Sequence, residues 1–193
     1  MASWLESYAP RRFDELAMNE SIRSNFERVS VQANPPHLII AGPAGVGKTA
    51  AWRLVARQIL GPSWKSTTHI LQARDLAKSA GAMKKFEEFL RPEGTNSGDT
   101  LAGRSSLDSF DVNLTTAIAG DTPPAGKENR ELNQSVERHV SRLIIIEDAD
   151  HLGPTRQPYL RRMMESTSST SRFIFTARSP SRLIDALRSR SKQ

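Results

Sequence analysis

His37-Leu38-Ile39-Ile40-Ala41-Gly42-Pro43-Ala44-Gly45-Val46-Gly47-Lys48-Thr49 is the stretch on which the fold turns. It opens as an unbroken apolar run, bounded upstream by Pro35-Pro36 and downstream by Gly42. Such a run suits a strand covered on both faces, as in a parallel sheet. Residues 42–47 read as a loop. Residues 48–60 read as a helix carrying Trp52, Val55, Ala56 and Ile59 on one side, stopped by Gly61-Pro62. The loop and the helix start together match the pattern G-x-x-x-x-G-K-S/T in the setting that gives it meaning, after a strand and before a helix. Glycines let backbone amides curl around a phosphate that side chains would keep at a distance. The helix starting near Lys48 adds its dipole to the anion site. The Lys48 amine neutralises β- and γ-phosphates, and the Thr49 hydroxyl can ligate Mg²⁺. Gly42, Pro43, Ala44, Gly45, Val46, Gly47, Lys48 and Thr49 are therefore the candidate nucleotide-binding residues.

Upstream, Leu16, Ile22, Phe26 and Val29 recur near helical spacing and predict a helix over 14–31, broken by Asn34-Pro35-Pro36. Downstream, 68–71 reads as a second strand. Residues 82–90 read as an amphipathic helix with Met83, Phe86 and Leu90 inward and Lys84, Lys85, Glu87 and Glu88 outward. The stretch 92–134 is dense in Gly, Ser, Thr, Asp, Asn and Pro, and a flexible insertion over 92–141 is expected rather than a second domain. Leu143-Ile144-Ile145-Ile146 is the clearest buried strand. A helix follows over 154–165, in which Pro158 is tolerable only in the first turn, where amides have no helical partner. Residues 172–177 predict a fourth strand and 181–189 a closing helix. Strands alternating with helices predict an α/β fold, a parallel sheet flanked by helices.

A phosphate loop needs an acidic partner at the end of a neighbouring strand. Glu147-Asp148, directly after the apolar run 143–146, supplies it at the edge where parallel sheets hold their ligands. With 27 Lys and Arg against 21 Asp and Glu, the formal net charge of +6 suits an acidic partner such as a nucleotide or a nucleic-acid backbone. The absence of cysteine excludes disulfides, thiolate metal sites and thiol catalysis. His37, His69, His139 and His151 lack metal-ligand spacing. The N-terminus has no apolar signal core and no run is long enough to span a bilayer, so a soluble intracellular protein without membrane contact is expected.

Five segments in order resemble the clamp-loader (replication factor C) small subunits of the AAA+ branch of P-loop NTPases: WLESYAPRRFDEL (4–16), NPPHLIIAGPAGVGKT (34–49), EDADHL (147–152), PYLRRMMES (158–166) and RFIFTARSPSRLIDALRSRS (172–191). The resemblance covers about residues 4–91 and 142–191. It implies that 1–193 is an AAA+ nucleotide-binding domain binding ATP and Mg²⁺, with Tyr8 and Pro10 flanking the base. Thr49 and Glu147 would serve the metal. Asp148 would stand at the place of the base that orients water, Arg178 at the sensor-1 position, and Arg190 would be an arginine finger acting in trans on a neighbour's nucleotide. Lys84, Lys85 and Arg91 would face DNA. The implied partners are other clamp-loader subunits in a hetero-oligomeric ring, a sliding clamp and primer-template DNA.

Four positions depart from the family pattern. Ala9 replaces an Arg, Glu147-Asp148 replaces Asp-Glu, Arg178 replaces an Asn, and Ser191 replaces a Cys beside the retained Arg190. The reversed acidic pair implies slow hydrolysis, because Asp148 is a methylene shorter than the base it replaces, and misplacements of about 1 Å can cost on the order of 10²-fold. By the same resemblance, the chain would stop before the fifth strand, and the helical lid and collar would be absent, leaving 37–41 at a sheet edge. Two other readings compete with an active clamp-loader subunit. One is a structural subunit that offers Arg190 but turns over little ATP. The other is a stand-alone P-loop kinase or GTPase, against which stands the lack of an N-K-x-D base-specificity motif.

Overall fold

The computed structural model describes residues 8–61, 64–90, 123–126, 140–168 and 170–193. Its centre is a sheet of five strands: β1 (His37–Ala41), β2 (Thr68–Gln72), β3 (Arg142–Glu147), β4 (Ser171–Ala177) and β5 (Ser191–Lys192). They lie in the order β2-β3-β4-β1-β5, and every pairing is parallel. The strands of 37–41, 68–71, 143–146 and 172–177 expected from sequence are all present, with small extensions.

Period-two alternation explains why these strands read as continuous apolar runs. Leu38, Ile40, Leu143, Ile145 and Ile174 face one side, against Ala51, Trp52, Leu54 and Val55 of the helix Lys48–Leu60 and Val29 of the helix Glu20–Ser30. Ile39, Ile144, Ile146, Phe173 and Phe175 face the other side, against Leu76, Phe86, Leu160 and Met164 of the helices Ala73–Lys78, Ala82–Leu90 and Gly153–Ser166. With both faces covered, the strand centres are largely apolar, and each buried Leu, Ile or Phe contributes about 1.5–3 kcal/mol.

Several expectations are corrected. The helix predicted over 14–31 is a 3₁₀ turn at Phe13–Glu15 followed by a helix that begins only at Glu20. The Asn19 side chain accepts from the Ser21 N–H at 2.9 Å and fixes that start, which frees Leu16 to pack at 3% exposure below the turn. On the helix Ala82–Leu90, Phe86, Phe89 and Leu90 face inward, whereas Met83 stays exposed. Pro158 falls beyond the first turn because the helix starts at Gly153. It is tolerated on an exposed face, where the carbonyl that lacks its amide can take water. The closing helix is split into a 3₁₀ turn, Pro180–Arg182, and a short helix, Asp185–Arg188. Leu183 and Ile184 are extended between them, with the Ile184 N–H donated to Gln157 Oε1 at 2.8 Å. Ser191 and Lys192 form a fifth strand that pairs with His37 and Leu38, so 37–41 is not the sheet edge expected from sequence. Most of 92–141, and Arg91, lie outside the described residues. Within that stretch, the Pro124 carbonyl accepts from Phe13 at 3.2 Å, and the Ala125 N–H is donated to Gln58 of the helix Lys48–Leu60 at 2.9 Å.

At the opposite end of the sheet from the loop, Arg172 is 7% exposed and bonds carbonyls instead of a carboxylate, those of Pro35 at 2.6 Å and Ser171 at 2.8 Å. Next to it, His37 Nδ1 accepts the Phe173 N–H at 3.0 Å, which requires that nitrogen to be unprotonated. Burial, and secondarily the Arg172 charge, lower the His37 pKa from 6.5 to about 4. The unfolded chain therefore binds this proton more readily than the native one. The stabilisation from a neutral His37 is complete above pH 6.5 and is lost as pH falls toward 4, by up to about 3 kcal/mol. Urea unfolding measured across this window should show that loss in the wild type and a flatter profile in His37→Gln. Identical profiles in the two proteins would contradict the assignment.

Candidate nucleotide-binding site

Because every strand runs the same way, Ala41, Gln72, Glu147 and Ala177 end at one edge, and the chain leaves each strand there. β4 lies between β1 and β3, so the phosphate loop and the acidic pair sit on either side of it. The Gly42 N–H extends the ladder by donating to the Ala177 carbonyl at 3.1 Å. Gly45 (φ 83°) and Gly47 (φ 89°) are left-handed, a conformation costing other residues about 1–2 kcal/mol. Their turn reverses the chain and starts the helix at Lys48. The Lys48 amine folds back on the loop, donating to the carbonyls of Gly42 at 2.8 Å and Pro43 at 2.6 Å. These carbonyl contacts hold the ammonium at the position where a phosphate would compete for it.

A cavity of about 450 Å³ opens here, lined by Ala44, Gly45, Gly47, Lys48, Thr49, Gln72, Arg74, Glu147, Asp148, Thr176 and Arg178. Lys48, Thr49, Glu147, Asp148 and Arg178, picked out from sequence, are thus brought together. Glu147 Oε1 accepts from the Thr49 hydroxyl at 3.1 Å and from the Trp52 indole N–H at 2.8 Å, and its Oε2 accepts from the Gln72 amide. Thr49 and Glu147 present hard oxygen donors side by side, the chemistry that suits Mg²⁺. Asp148 adopts φ 52°, the single non-glycine residue with positive φ among those described. A short carboxylate side chain is among those that tolerate this conformation. Its N–H is held by Thr176 Oγ1 at 3.1 Å, and its carboxylate is paired with Arg74 at 3.1 Å.

A second, largely apolar cavity of about 790 Å³ shares Gly45, Gly47 and Lys48 with the first and extends to Tyr8, Pro10, Met18, Ile22, Phe26 and Val46. It can take a flat ring next to the phosphate loop. Tyr8 and Pro10 line it, as does Lys192 of β5.

Arg190 lines neither cavity. It bonds Glu165 at 2.8 Å and the Ala186 carbonyl at 3.0 Å. The Glu165 carboxyl is held below its usual pKa, first by its hydrogen bond from Arg161 and then by the Arg190 charge. Lys84 is an exposed side chain reaching Glu88 at 3.9 Å, and Lys85 is exposed on the same helix. Three site residues were not legible as such in sequence. Trp52 reads as a core residue, and Gln72 lies just past the strand expected over 68–71. Arg74 is the second residue of the helix Ala73–Lys78, directly after β2. The available signal was positional: Trp52 lies three residues after Thr49, on the same helix face, and carries a polar N–H.

The loop, the acidic strand end and the strand order together define a P-loop fold, a parallel sheet with helices on both faces. The chain belongs to the ATPase family associated with various cellular activities (AAA), which it matches over residues 38–193. It is 29% identical over 97% of its length to Replication factor C small subunit 1 of Pyrobaculum islandicum, of which it covers 44%. It is 28% identical, again over 97% of its length, to Replication factor C small subunit of Natronomonas pharaonis, covering 45% of that protein. The chain thus spans just under half the length of these relatives. Among solved structures it is similar to Thermotoga maritima RuvB, with a TM-score of 0.55 and 14% identity, covering 95% of this chain and 46% of that one, a likeness of fold. No helix among the described residues is long and apolar enough to cross a membrane.

Proposed function

We propose that residues 1–193 are an ATP- and Mg²⁺-binding domain of a clamp-loader subunit, which helps to load a sliding clamp onto primer-template DNA. The observation that carries this reading is the convergence of Lys48, Thr49, Glu147 and Asp148 on one cavity at the end of a parallel sheet. The names of the replication factor C relatives support the clamp-loader role. The triphosphate would lie along Gly42–Thr49, with Lys48 against its β- and γ-phosphates and the base in the apolar cavity beside Tyr8 and Pro10. Thr49 and Glu147 would hold Mg²⁺, which neutralises charge on the phosphates. Lys84, Lys85 and Arg91 would meet the DNA backbone, in the soluble interior of the cell, as contacts indifferent to sequence.

Hydrolysis at this chain's own site would be slow. Asp148 stands where the water-orienting base belongs, and its carboxylate is engaged by Arg74 at 3.1 Å. Arg178, in the same cavity, offers a cation that offsets part of the loss by stabilising charge on the γ-phosphate. Arg190, by the same resemblance a finger acting in trans, lies outside both cavities and bonds Glu165 at 2.8 Å.

Lys48→Ala should abolish ATP binding by removing the phosphate counter-charge, as read by equilibrium titration with a fluorescent ATP analogue. Unchanged affinity would sink the phosphate-loop reading. For Arg190, rings should be assembled from Arg190→Ala chains and partners whose phosphate loops are disabled, and then in the converse arrangement. A working finger contributes roughly 10³ or more in rate. The loss should follow the neighbour's nucleotide site; if it follows the chain's own site, the trans role is wrong.

A further inference from the structure

Trp52 is 1% exposed within the core face of the phosphate-loop helix, yet its indole N–H is spent on a carboxylate, Glu147 Oε1, at 2.8 Å. Thr49, one helical turn earlier and on the same face, donates to the same oxygen at 3.1 Å. Gln72, at the end of β2, donates to Oε2 from the other side. Neutral donors thus occupy both oxygens and fix the position and the plane of the carboxylate. A glutamate on its own has freely turning side-chain torsions and does not hold one plane. The hydroxyl that donates to Glu147 keeps its lone pairs for a cation. An indole can donate but never accept, so its partner here must remain an acceptor. A phenylalanine would fill most of the same space in the core without reaching the acid.

We propose that Trp52, with Gln72 opposite it, is a positioning residue that aims Glu147 at the Mg²⁺ of the bound nucleotide. This also gives a physical account of the glutamate at 147: its extra reach is taken up and locked by the indole. The inference rests on the ATP and Mg²⁺ reading above. Groups that orient a metal-facing ligand in this way typically govern metal affinity by 10–100-fold.

The test is a Mg²⁺ titration of nucleotide affinity in the whole chain, using a fluorescent ATP analogue, for wild type, Trp52→Phe and Gln72→Leu. Affinity in EDTA should be the same in all three proteins. The Mg²⁺ concentration that half-saturates the tightening of binding should rise roughly tenfold in Trp52→Phe and in the same direction in Gln72→Leu. Gln72 lies outside the core clusters, so its variant carries the test if Trp52→Phe does not fold. A lowered Tm with an unmoved Mg²⁺ midpoint would mean that Trp52 only fills the core, and would overturn the proposal. A wild-type chain that binds no analogue, with or without Mg²⁺, would overturn the nucleotide reading as well.

Discussion

The hydrogen bonds from Thr49 and Trp52 to Glu147 join parts of the chain that lie almost a hundred residues apart. One side of this junction is the start of the phosphate-loop helix and the other is the end of β3. The junction requires that β1 and β3 run in the same direction and finish at the same edge, which the order β3-β4-β1 provides. It also requires β4 as a spacer, and β4 is buried along its whole length. The apolar faces of the strands hold the edge in place, and the edge holds the site. A change of register in β3 would move Glu147 and Asp148 by one position and reverse which of them faces the helix.

Charge is the second organising constraint. The phosphate cavity collects Lys48, Arg74 and Arg178 against Glu147 and Asp148, leaving an excess of cation at the mouth of the loop. Lys48 rests on carbonyls, Arg74 holds Asp148, and Glu147 is bonded by neutral donors. The two carboxylates are thereby given different work by their surroundings. Glu147 is held by an indole, a hydroxyl and an amide, while Asp148 is held by a guanidinium and turned by a left-handed backbone.

Much of this was legible in the sequence, for identifiable reasons. β1, the phosphate loop and the helix Lys48–Leu60 share strong punctuation, with proline before, glycine between and Gly61 after. The run 143–146 is apolar at every position because it is buried on both faces, and the acids that follow it mark the edge. What was misread depends on tertiary packing. Leu16 continues the helical spacing of Ile22 and Phe26 but is buried from a turn instead. Leu183 and Ile184 interrupt the last helix because Gln157, distant in sequence, claims the Ile184 amide. Ser191 and Lys192 carry no strand signature and pair with β1 because an open edge is available there. Trp52 was hidden by its own hydrophobicity: periodicity reports that a side chain is buried and says nothing of where its polar atom ends.

The most direct measurement of the central claim is a structure of this chain with Mg²⁺ and a non-hydrolysable ATP analogue. A nucleotide site at this sheet edge requires that the Lys48 amine leave the carbonyls of Gly42 and Pro43 for the β- and γ-phosphate oxygens, with the base in the cavity lined by Tyr8 and Pro10. An analogue bound elsewhere, or a Lys48 still seated on the loop carbonyls with the triphosphate present, would contradict it.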